Sequence, residues 1–368
     1  MNSKSEFNRI AIVGVGLIGG SLGLAIKRKM PGVHIVGISS DRVLEEALTA
    51  GAIDEAVSKT TLQKGVADAD LVILCSPIQE IIRRLPEVAE AIRPQTLVTD
   101  AGSTKQRIVK TAKACFPSDR YFIGGHPMAG SEARGIQAAD ALLFENAVYV
   151  LTPLENTPES IKDRMVGLVE TIGAKAIVML PGMHDQIAAA VSHLPQLLAV
   201  TLMNLISKQG KSPLHLKLAA GGFRDMTRIA SSPYDIWEDI LETNQSDIIG
   251  TIDEFIEDLE KLKTGIGHTS MRDNFEQANK QRLSIPRDTK GFIRPHYDLL
   301  VRVEDKPGII ATLSTALAEA DINIKDIEVL KVREGDSGTI RLSLETPDAR
   351  TRAESILTKV GFECRLVK

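Results

Sequence analysis

His126 is the side chain in this sequence best suited to acid–base chemistry. It lies in the segment GGHPMAGSE (residues 124–132), which follows a short apolar run at residues 121–123. Histidine can remove a hydroxyl proton because its pKa lies near working pH. Ser103, which follows another apolar run, could orient the imidazole. The structural alternatives are a packing role for His126 and a helix-capping role for Ser103.

Two further histidines lie in a long helical pattern nearer the C-terminus. His184 and His193 are nine residues apart, half a turn out of phase in a regular helix, so we do not expect them to share a face as metal ligands. Pro195 lacks the N–H of a helical hydrogen bond and predicts a kink beside His193. Packing within the core is the structural alternative for His193.

The segment GGFRDMTRIA (residues 221–230) could bind a carboxylate. A glycine pair opens a short helical pattern with Arg224 and Arg228 one turn apart, and Asp225 could hold the Arg228 guanidinium. Solvated surface charge is the alternative for either arginine. Trp237, the only tryptophan, follows shortly after and is most often a core residue on general grounds.

The segment GVGLIGGS (residues 14–21) predicts a dinucleotide-binding turn. Gly14, Gly16 and Gly19 form G-x-G-x-x-G between a strand-like run at 10–13 and a helical pattern at 22–29. Gly14 would permit the tight turn, Gly16 the approach to a pyrophosphate, and Gly19 the close packing of helix on strand. A purely structural turn is the alternative.

The end of the second strand bears on the choice of cofactor. An acidic residue there usually binds the ribose hydroxyls of NAD, but this sequence has Ser39. Asp41 lies two residues further on, where we expect it to cap the next helix. Arg42 could meet a 2′-phosphate. These residues leave NAD and NADP both open.

Hydrophobic periodicity divides the chain into segments that would position these residues. Residues 9–179 alternate short Val- and Ile-rich runs with amphipathic helical patterns, as in an open α/β sheet of buried parallel strands. Residues 184–283 show only helical patterns. We predict a Rossmann-type dinucleotide-binding domain at 1–180, an all-helical domain at 181–284, a polar linker at 285–296 and a βαββαβ domain at 297–368.

Composition indicates an ordinary globular protein. The 368 residues are 43% hydrophobic and 25% charged, with a net charge of -4, so no nucleic-acid or membrane partner is expected. Three scattered cysteines without a C-x-x-C pair favour a reducing cytoplasm over a disulfide framework or a zinc site. We see neither a signal peptide nor a run of about 20 apolar residues that would span a membrane. We therefore expect a cytoplasmic protein without a metal site.

Together these segments resemble the prephenate dehydrogenases of the TyrA family. The matching pieces occur in the family's order at residues 14–21, 100–105, 124–132, 192–196 and 221–230. The C-terminal region is similar to an ACT domain, through the DKPGII turn at 305–310 and the INI strand start at 322–324. The resemblance implies a Rossmann-type domain, a helical dimerisation domain and a C-terminal regulatory domain in a homodimer.

The resemblance also implies a reaction, namely oxidation of prephenate by NAD with loss of carbon dioxide, giving 4-hydroxyphenylpyruvate for tyrosine biosynthesis. His126 would then polarise the ring hydroxyl, Ser103 would orient His126 and the nicotinamide, and Arg228 would bind a carboxylate. His193 would lie against the substrate or a bound tyrosine. The remaining implied pocket residues are Glu132, Asp225 and Trp237. The implied cofactor-binding residues are Gly14, Gly16, Leu17, Ile18, Gly19, Ser39, Ser76, Pro77 and Ser103.

Several alternatives stay open on the sequence. The substrate could be arogenate, and the enzyme could be a cyclohexadienyl dehydrogenase that uses NADP. A β-hydroxyacid dehydrogenase would share the fold, but it would use a catalytic lysine in the helical domain. A non-catalytic sensor of dinucleotides and amino acids is the alternative from another class. The ACT-like domain could bind tyrosine as a feedback inhibitor, or it could be a dimerisation unit without a ligand.

Overall fold

The computed structural model describes residues 7–130, 133–208, 212–268, 270–284, 297–304, 306–331 and 337–366. The chain divides into two compact units, residues 1–268 and 269–368. The predicted linker at 285–296 lies outside the described residues.

An eight-stranded sheet forms the centre of the first unit. Its strands are β1 (Arg9–Val13), β2 (His34–Ser39), β3 (Glu55–Ser58), β4 (Leu71–Leu74), β5 (Leu97–Asp100), β6 (Tyr121–Pro127), β7 (Val148–Pro153) and β8 (Lys175–Val178). The strand order is β3-β2-β1-β4-β5-β6-β7-β8. The order reverses between β1 and β4, which is the switch point where open α/β sheets bind their ligands. The predicted Rossmann-type fold is confirmed.

Helices cover both faces of this sheet. They are α1 (Leu17–Lys29), α2 (Asp41–Thr49), α3 (Leu62–Val66), α4 (Ile78–Ala91), α5 (Gln106–Cys115) and α6 (Glu159–Thr171). Successive strand residues point to opposite faces, so Ile10 and Ile12 belong to one buried cluster while Ala11 and Val13 belong to the other. Two apolar cores explain why the strands are continuous apolar runs.

Three details of the sheet differ from the prediction. The short strand β3 was not predicted, because its four residues are largely half-exposed and form no apolar run. Strand β6 continues to Pro127, so His126 lies within a strand and pairs with Val150. Strand β7 runs antiparallel to β6, although parallel strands were predicted. A parallel return needs a crossover, usually a helix, and residues 128–147 contain only the 3₁₀ turn Ile136–Ala138 among those described.

Helices alone follow the sheet in the first unit. They are α7 (Pro181–Ala188), α8 (Leu194–Lys208), α9 (Ser212–Leu218), α10 (Gly221–Thr227), α11 (Tyr234–Thr243) and α12 (Gln245–Gly265). A 3₁₀ turn at Arg228–Ser231 continues α10. The predicted absence of strands from this region holds for its described residues.

A π-helical turn at Ala189–His193 joins α7 to α8. It lies one turn before Pro195, whose ring would clash with the carbonyl of Val191 in a regular helix. A π turn absorbs one extra residue and therefore rotates the rest of the helix by about 100°. In an otherwise ideal helix, one such residue would place His184 and His193 about 80° rather than about 180° apart around the helix axis. The expectation that the two histidines do not share a face as metal ligands assumed a regular helix, and the helix is not regular between them.

The continuous helix Pro181–Ser207 is long and apolar enough, by length and composition, to cross a membrane, although the sequence predicts no such segment. Several of its apolar side chains are exposed, among them Met183, Ile187 and Val191. Length and composition alone are weak grounds for a membrane span.

The second unit contains α13 (Ser270–Ser284) and a four-stranded antiparallel sheet. The sheet order is β10-β11-β9-β12, formed by β9 (Tyr297–Glu304), β10 (Ile324–Lys331), β11 (Ser337–Leu344) and β12 (Glu363–Leu366). Helices α14 (Ile309–Ala318) and α15 (Pro347–Val360) pack on it through a core that includes Leu299, Leu313 and Leu357. This is the predicted βαββαβ unit.

Candidate active site

The glycine-rich turn between β1 and α1 has the shape of a phosphate cradle. Gly14 has φ +93°, and a Cβ there would lie 2.9 Å from the carbonyl of Cys75. A Cβ on Gly19 would lie 2.1 Å from the carbonyl oxygen of Gly14, so both positions require glycine. Open space surrounds Gly16. The first turn of α1 has neither a capping side chain nor an acidic residue, which leaves its N–H groups suited to an anion.

The other predicted cofactor-binding residues surround this turn or follow neighbouring strands. Ser39 is the last residue of β2. The carbonyl of the residue before it, Ile38, accepts a hydrogen bond of 2.8 Å from the Gly14 N–H. Ser76 lies against Gly14, and Pro77 begins α4 as its N-cap. The expectation that Asp41 caps α2 was wrong. Ser40 occupies the N-cap position, without a side-chain hydrogen bond, and Asp41 is the first helical residue.

His126 belongs to a chain of three hydrogen-bonded side chains. Its Nδ1 lies 2.8 Å from Nε2 of His184, and Nδ1 of His184 lies 2.7 Å from Oδ1 of Asp185. The carboxylate of Asp185 also accepts the backbone N–H groups of Lys105, at 2.7 Å, and of Gln106, at 2.8 Å. Helix α7 thus fixes both the imidazole in β6 and the start of α5.

A buried ion pair holds the strand beneath His126. Lys105 and Asp100 are fully buried and in contact. The ammonium group also donates to the carbonyl of Gly125 at 2.7 Å, while Asp100 accepts the Gly125 N–H at 3.1 Å. Burial lowers the pKa of Lys105, and the charge of Asp100 opposes that effect. Since Gly125 precedes His126, this pair fixes the backbone from which the imidazole projects.

The environment of His126 favours a neutral imidazole. Burial lowers the pKa of His126 well below 6.5, and electrostatic interactions with His184, Lys105 and His193 act in the same direction. A neutral ring retains a lone pair with which to accept a proton. His126 therefore has the protonation state that a general base needs at neutral pH.

His193 extends this group of residues. Its Nδ1 lies 3.2 Å from the amide nitrogen of Asn244, which also donates to the carbonyl of Asp185 at 2.8 Å. The indole of Trp237 meets the His193 ring edge to face, with centroids 6.0 Å apart. Burial lowers the pKa of His193 to about 4. We call the residues His126, His184, Asp185, His193 and Asn244 the histidine cluster.

The remaining predicted site residues lie in several parts of the chain. Gln196, one turn after His193, donates to the carbonyl of Ile229 at 2.9 Å and so ties the backbone beside Arg228 to α8. Arg224, Asp225 and Arg228 are exposed. Glu132 lies outside the described residues. Ser103 lies on the loop after β5 and makes no hydrogen bond to another described residue, so its role in orienting His126 stays a prediction.

Sequence reasoning missed the residues that hold His126 in place. His184 was considered only as a metal ligand paired with His193, and Asp185, Asn244 and Lys105 were not considered as site residues. His184 is 58 positions from His126. The one available signal was the adjacent His-Asp pair in an otherwise apolar helix. No group of three potential metal ligands occurs among the described residues.

The Rossmann-type sheet, the glycine cradle and the histidine cluster define a dinucleotide-dependent dehydrogenase. Family profiles for the nucleotide-binding domain of prephenate dehydrogenase match residues 22–178, and those for its dimerization domain match residues 180–281. An ACT domain profile matches residues 297–355. The chain belongs to the prephenate dehydrogenase family.

The chain is also similar to individual prephenate and arogenate dehydrogenases. A prephenate dehydrogenase of Bacillus subtilis is 38% identical over 354 residues, 95% of each chain. The crystal structure of prephenate dehydrogenase from Aquifex aeolicus, in complex with hydroxyphenyl propionate and NAD+, is 29% identical with a TM-score of 0.68, covering 76% of this chain and 98% of that one. The Synechocystis arogenate dehydrogenase structure is 32% identical with a TM-score of 0.66, covering 74% and 98%.

Proposed function

We propose that this enzyme oxidises prephenate with NAD and releases carbon dioxide and 4-hydroxyphenylpyruvate. The observation that carries the proposal is the histidine cluster, in which β6 presents a neutral imidazole. The chain's membership of the prephenate dehydrogenase family identifies the reaction. Prephenate has a hydroxyl group opposite a quaternary carbon that bears a carboxylate and a pyruvyl group. His126 would take the hydroxyl proton as the C–H bond on the same carbon breaks.

Loss of the ring carboxylate completes the reaction. The electron pair of the bond to carbon dioxide enters the ring, which becomes aromatic, and His126 can return its proton to the new phenol oxygen. Aromatisation makes the reaction effectively irreversible. The protein therefore has to position the substrate, bind its carboxylates and hold the base.

The residues of the glycine cradle fit a nicotinamide dinucleotide. The open space at Gly16 leaves room for a pyrophosphate, while Gly14 and Gly19 allow the tight turn and the close packing beside it. Leu17 and Ile18 begin the first turn of α1. Ser39, Ser76, Pro77 and Ser103 would border the rest of the cofactor. When bound, the cofactor supplies the acceptor for the hydride.

We assign the substrate contacts to the helical region and the loops facing it. Arg228 would bind a carboxylate of prephenate, and His193 would lie against the substrate. Asp225, Trp237 and Glu132 would shape and close the pocket. The hydrogen bond from Gln196 to the segment of Arg228 supports this assignment, because it ties that segment to the helix of His193.

Arogenate is the second candidate substrate, favoured by the similarity to the Synechocystis arogenate dehydrogenase. The test measures kcat/KM for prephenate and arogenate, each with NAD and with NADP. We expect the highest value for prephenate with NAD. A higher value with arogenate would change the substrate, and a value with NADP that matches or exceeds NAD would change the cofactor. No reduction of either cofactor would favour a sensor.

We further propose a homodimer formed through the helical domain at 181–284. Exposed apolar side chains on α7, the π turn and α12 support it, since such a surface is typical of a subunit interface. These residues include Met183, Ile187, Val191, Ile249, Ile256 and Leu259. Light scattering tests the assembly, and a monomeric mass at micromolar concentration would contradict it.

The absence of any disulfide among the three cysteines suits a cytoplasmic enzyme.

A further inference from the structure

The chain from Asp185 through His184 to His126 has a direction set by its first member. A carboxylate accepts hydrogen bonds and donates none, and Asp185 already accepts two backbone N–H groups from the start of α5. The contact of 2.7 Å with His184 therefore requires a proton on Nδ1 of His184. With the proton on Nε2 instead, a lone pair of His184 would face a carboxylate oxygen.

The direction of the hydrogen bond between His184 and His126 follows from that of the bond between His184 and Asp185. In a neutral ring, one nitrogen donates and the other accepts. When His184 is neutral its Nε2 is an acceptor, and the contact of 2.8 Å is then made by the Nδ1–H of His126. We propose that His184 and Asp185 are positioning residues which hold His126 in the Nδ1–H tautomer, with its Nε2 lone pair free for the substrate hydroxyl. This inference rests on the proposed function for the use of Nε2, but not for the tautomer itself.

The surroundings keep this arrangement rigid. His184 and Asp185 are 3% and 0% exposed, so water does not compete for their hydrogen bonds. Each member lies on or contacts a different element, namely β6, α7 and the start of α5. The base would thus be oriented before the substrate binds, which avoids a reorganisation cost during the reaction.

His193 gives an internal contrast. The amide nitrogen of Asn244 must face the carbonyl of Asp185, to which it donates, and its other hydrogen is directed to Nδ1 of His193. Nδ1 of His193 is therefore an acceptor, and the ring carries its proton on Nε2. The same cluster is expected to hold His126 and His193 in opposite tautomers.

The first experiment reads the tautomers by ¹⁵N NMR of the full-length protein labelled at its seven histidines. Signals are assigned from spectra of variants that each lack one histidine. We expect protonated Nδ1 in His126 and His184 and protonated Nε2 in His193. A protonated Nε2 in His126, or comparable amounts of both forms, would overturn the proposal. Since no substrate is added, a failure of the proposed reaction cannot produce either result.

The second experiment compares His184→Leu with His184→Gln in steady-state kinetics with prephenate and NAD. Leucine offers His126 no acceptor, whereas the glutamine carbonyl can accept from Nδ1. We expect leucine to lower kcat about 100-fold with KM within about 2-fold, and glutamine to recover at least about 10-fold of that loss. The exposed His268→Leu is the matched control and should leave kcat unchanged.

Other outcomes would contradict the positioning role. Equal losses in both variants, or a change mainly in KM, would indicate a structural role for His184. A wild-type kcat in His184→Leu would show that His126 needs no partner. If the leucine variant does not fold, the NMR result on the wild-type protein still decides the proposal.

Discussion

The chemistry assigned to His126 needs a ring that is neutral, oriented and able to reach the substrate. Burial and nearby positive charge lower its pKa, and the hydrogen bond to His184 fixes its orientation. Lys105 holds the adjacent backbone through Gly125. These effects act on one imidazole, so its removal should be felt in the chemical step more than in binding.

We predict that His126→Asn lowers kcat about 10²–10⁴-fold, the range typical of general acid–base catalysis, with little change in KM for prephenate. Asparagine keeps a polar group of similar size but cannot take up a proton at neutral pH. Steady-state kinetics across pH measures the effect. A variant that keeps most of its kcat at every pH would show that His126 is not the base.

Arg228→Ala should act mainly on binding, because a carboxylate contact is present in both the ground state and the transition state. Loss of a charged hydrogen bond costs about 2 kcal/mol, which corresponds to a rise in KM of about 30-fold. Arg224→Ala, one turn earlier on the same exposed segment, is the matched control. If the two variants exchange their effects, Arg224 is the anchor.

The buried His193 should make stability depend on pH. Its pKa is about 4 in the folded protein against 6.5 for a free histidine, so the unfolded chain binds the proton more tightly. The contribution is present above pH 6.5 and is lost as pH falls toward 4, by about 3 kcal/mol in total. Urea unfolding between these pH values measures it. His193→Gln should flatten the dependence, and an unchanged slope would contradict the assignment.

At the residue scale, the sequence predicted the functional features that depend on residues close together in the chain. The spacing of Gly14, Gly16 and Gly19 reports a single turn, and the backbone of that turn requires glycine at two of the three positions. His126 could be selected for its type and its place after an apolar run. Its partner could not, because His184 is 58 positions away in the chain and only the folded structure brings the two rings together.

Packing between elements also determines how α5 begins. No side chain of the helix itself caps its N-terminus, and Asp185 on α7 accepts two of its N–H groups instead. One buried carboxylate thereby joins α7 to the start of a helix 79 and 80 positions earlier in the chain. The contact belongs to the helix pair rather than to either sequence segment, so capping rules applied to α5 alone do not find it.

Asp185→Ala should therefore destabilise the protein by about 2–4 kcal/mol, because it leaves one buried N–H group, one part-buried N–H group and one imidazole without an acceptor. Thermal unfolding of the purified variant measures the loss. Asp247→Ala is the matched control, since Asp247 accepts an exposed side-chain hydrogen bond from Gln106 at the same end of α5. Equal losses of stability in the two variants would show that the buried Asp185 contact stabilises the protein no more than the exposed Asp247 contact.

At the scale of the elements, the π turn shows why the site could not be predicted in full from the sequence. Apolar periodicity correctly predicted a long helix, and Pro195 correctly predicted an irregularity near His193. Neither predicts the number of residues that the irregular turn contains. One extra residue changes the angle between His184 and His193 around an ideal helix axis by about 100°. Similarly, apolar runs predicted most strands of the sheet, but not the antiparallel direction of β7.

At the scale of the whole molecule, the change in periodicity predicted the order of the three regions. The family profiles follow the same order. The division into compact units falls at residue 268 and places α13 in the second unit, whereas the dimerization-domain match extends to residue 281. The boundary at 284 stays a prediction, because sequence periodicity does not report which neighbours a helix packs against.

The ACT domain raises the question of regulation. A pocket of about 550 Å³ lies at the surface of its βαββαβ unit, between the end of β9, the start of α14 and the turn from α15 into β12. Charged side chains of both signs line it, including Arg302, Lys306 and Glu363. Arg302 pairs with Glu363 at 3.2 Å and Lys306 pairs with Glu304 at 2.7 Å, so an amino acid bound here would exchange its charged groups with these ion pairs. We predict that tyrosine inhibits the enzyme and that residues 297–368 contribute the sensor.

Truncation before Tyr297 tests the prediction, because tyrosine could act at either of two places. If residues 297–368 are the sensor, the shortened enzyme should keep its dimeric mass and its kcat with prephenate but lose sensitivity to tyrosine. The alternative is direct competition, since tyrosine carries a phenol and a carboxylate that could occupy the pocket of His126 and His193. Inhibition would then survive truncation unchanged and would be competitive with prephenate. In that case the ACT domain would serve assembly, and the truncated enzyme should show a lower dimeric mass fraction at the same concentration.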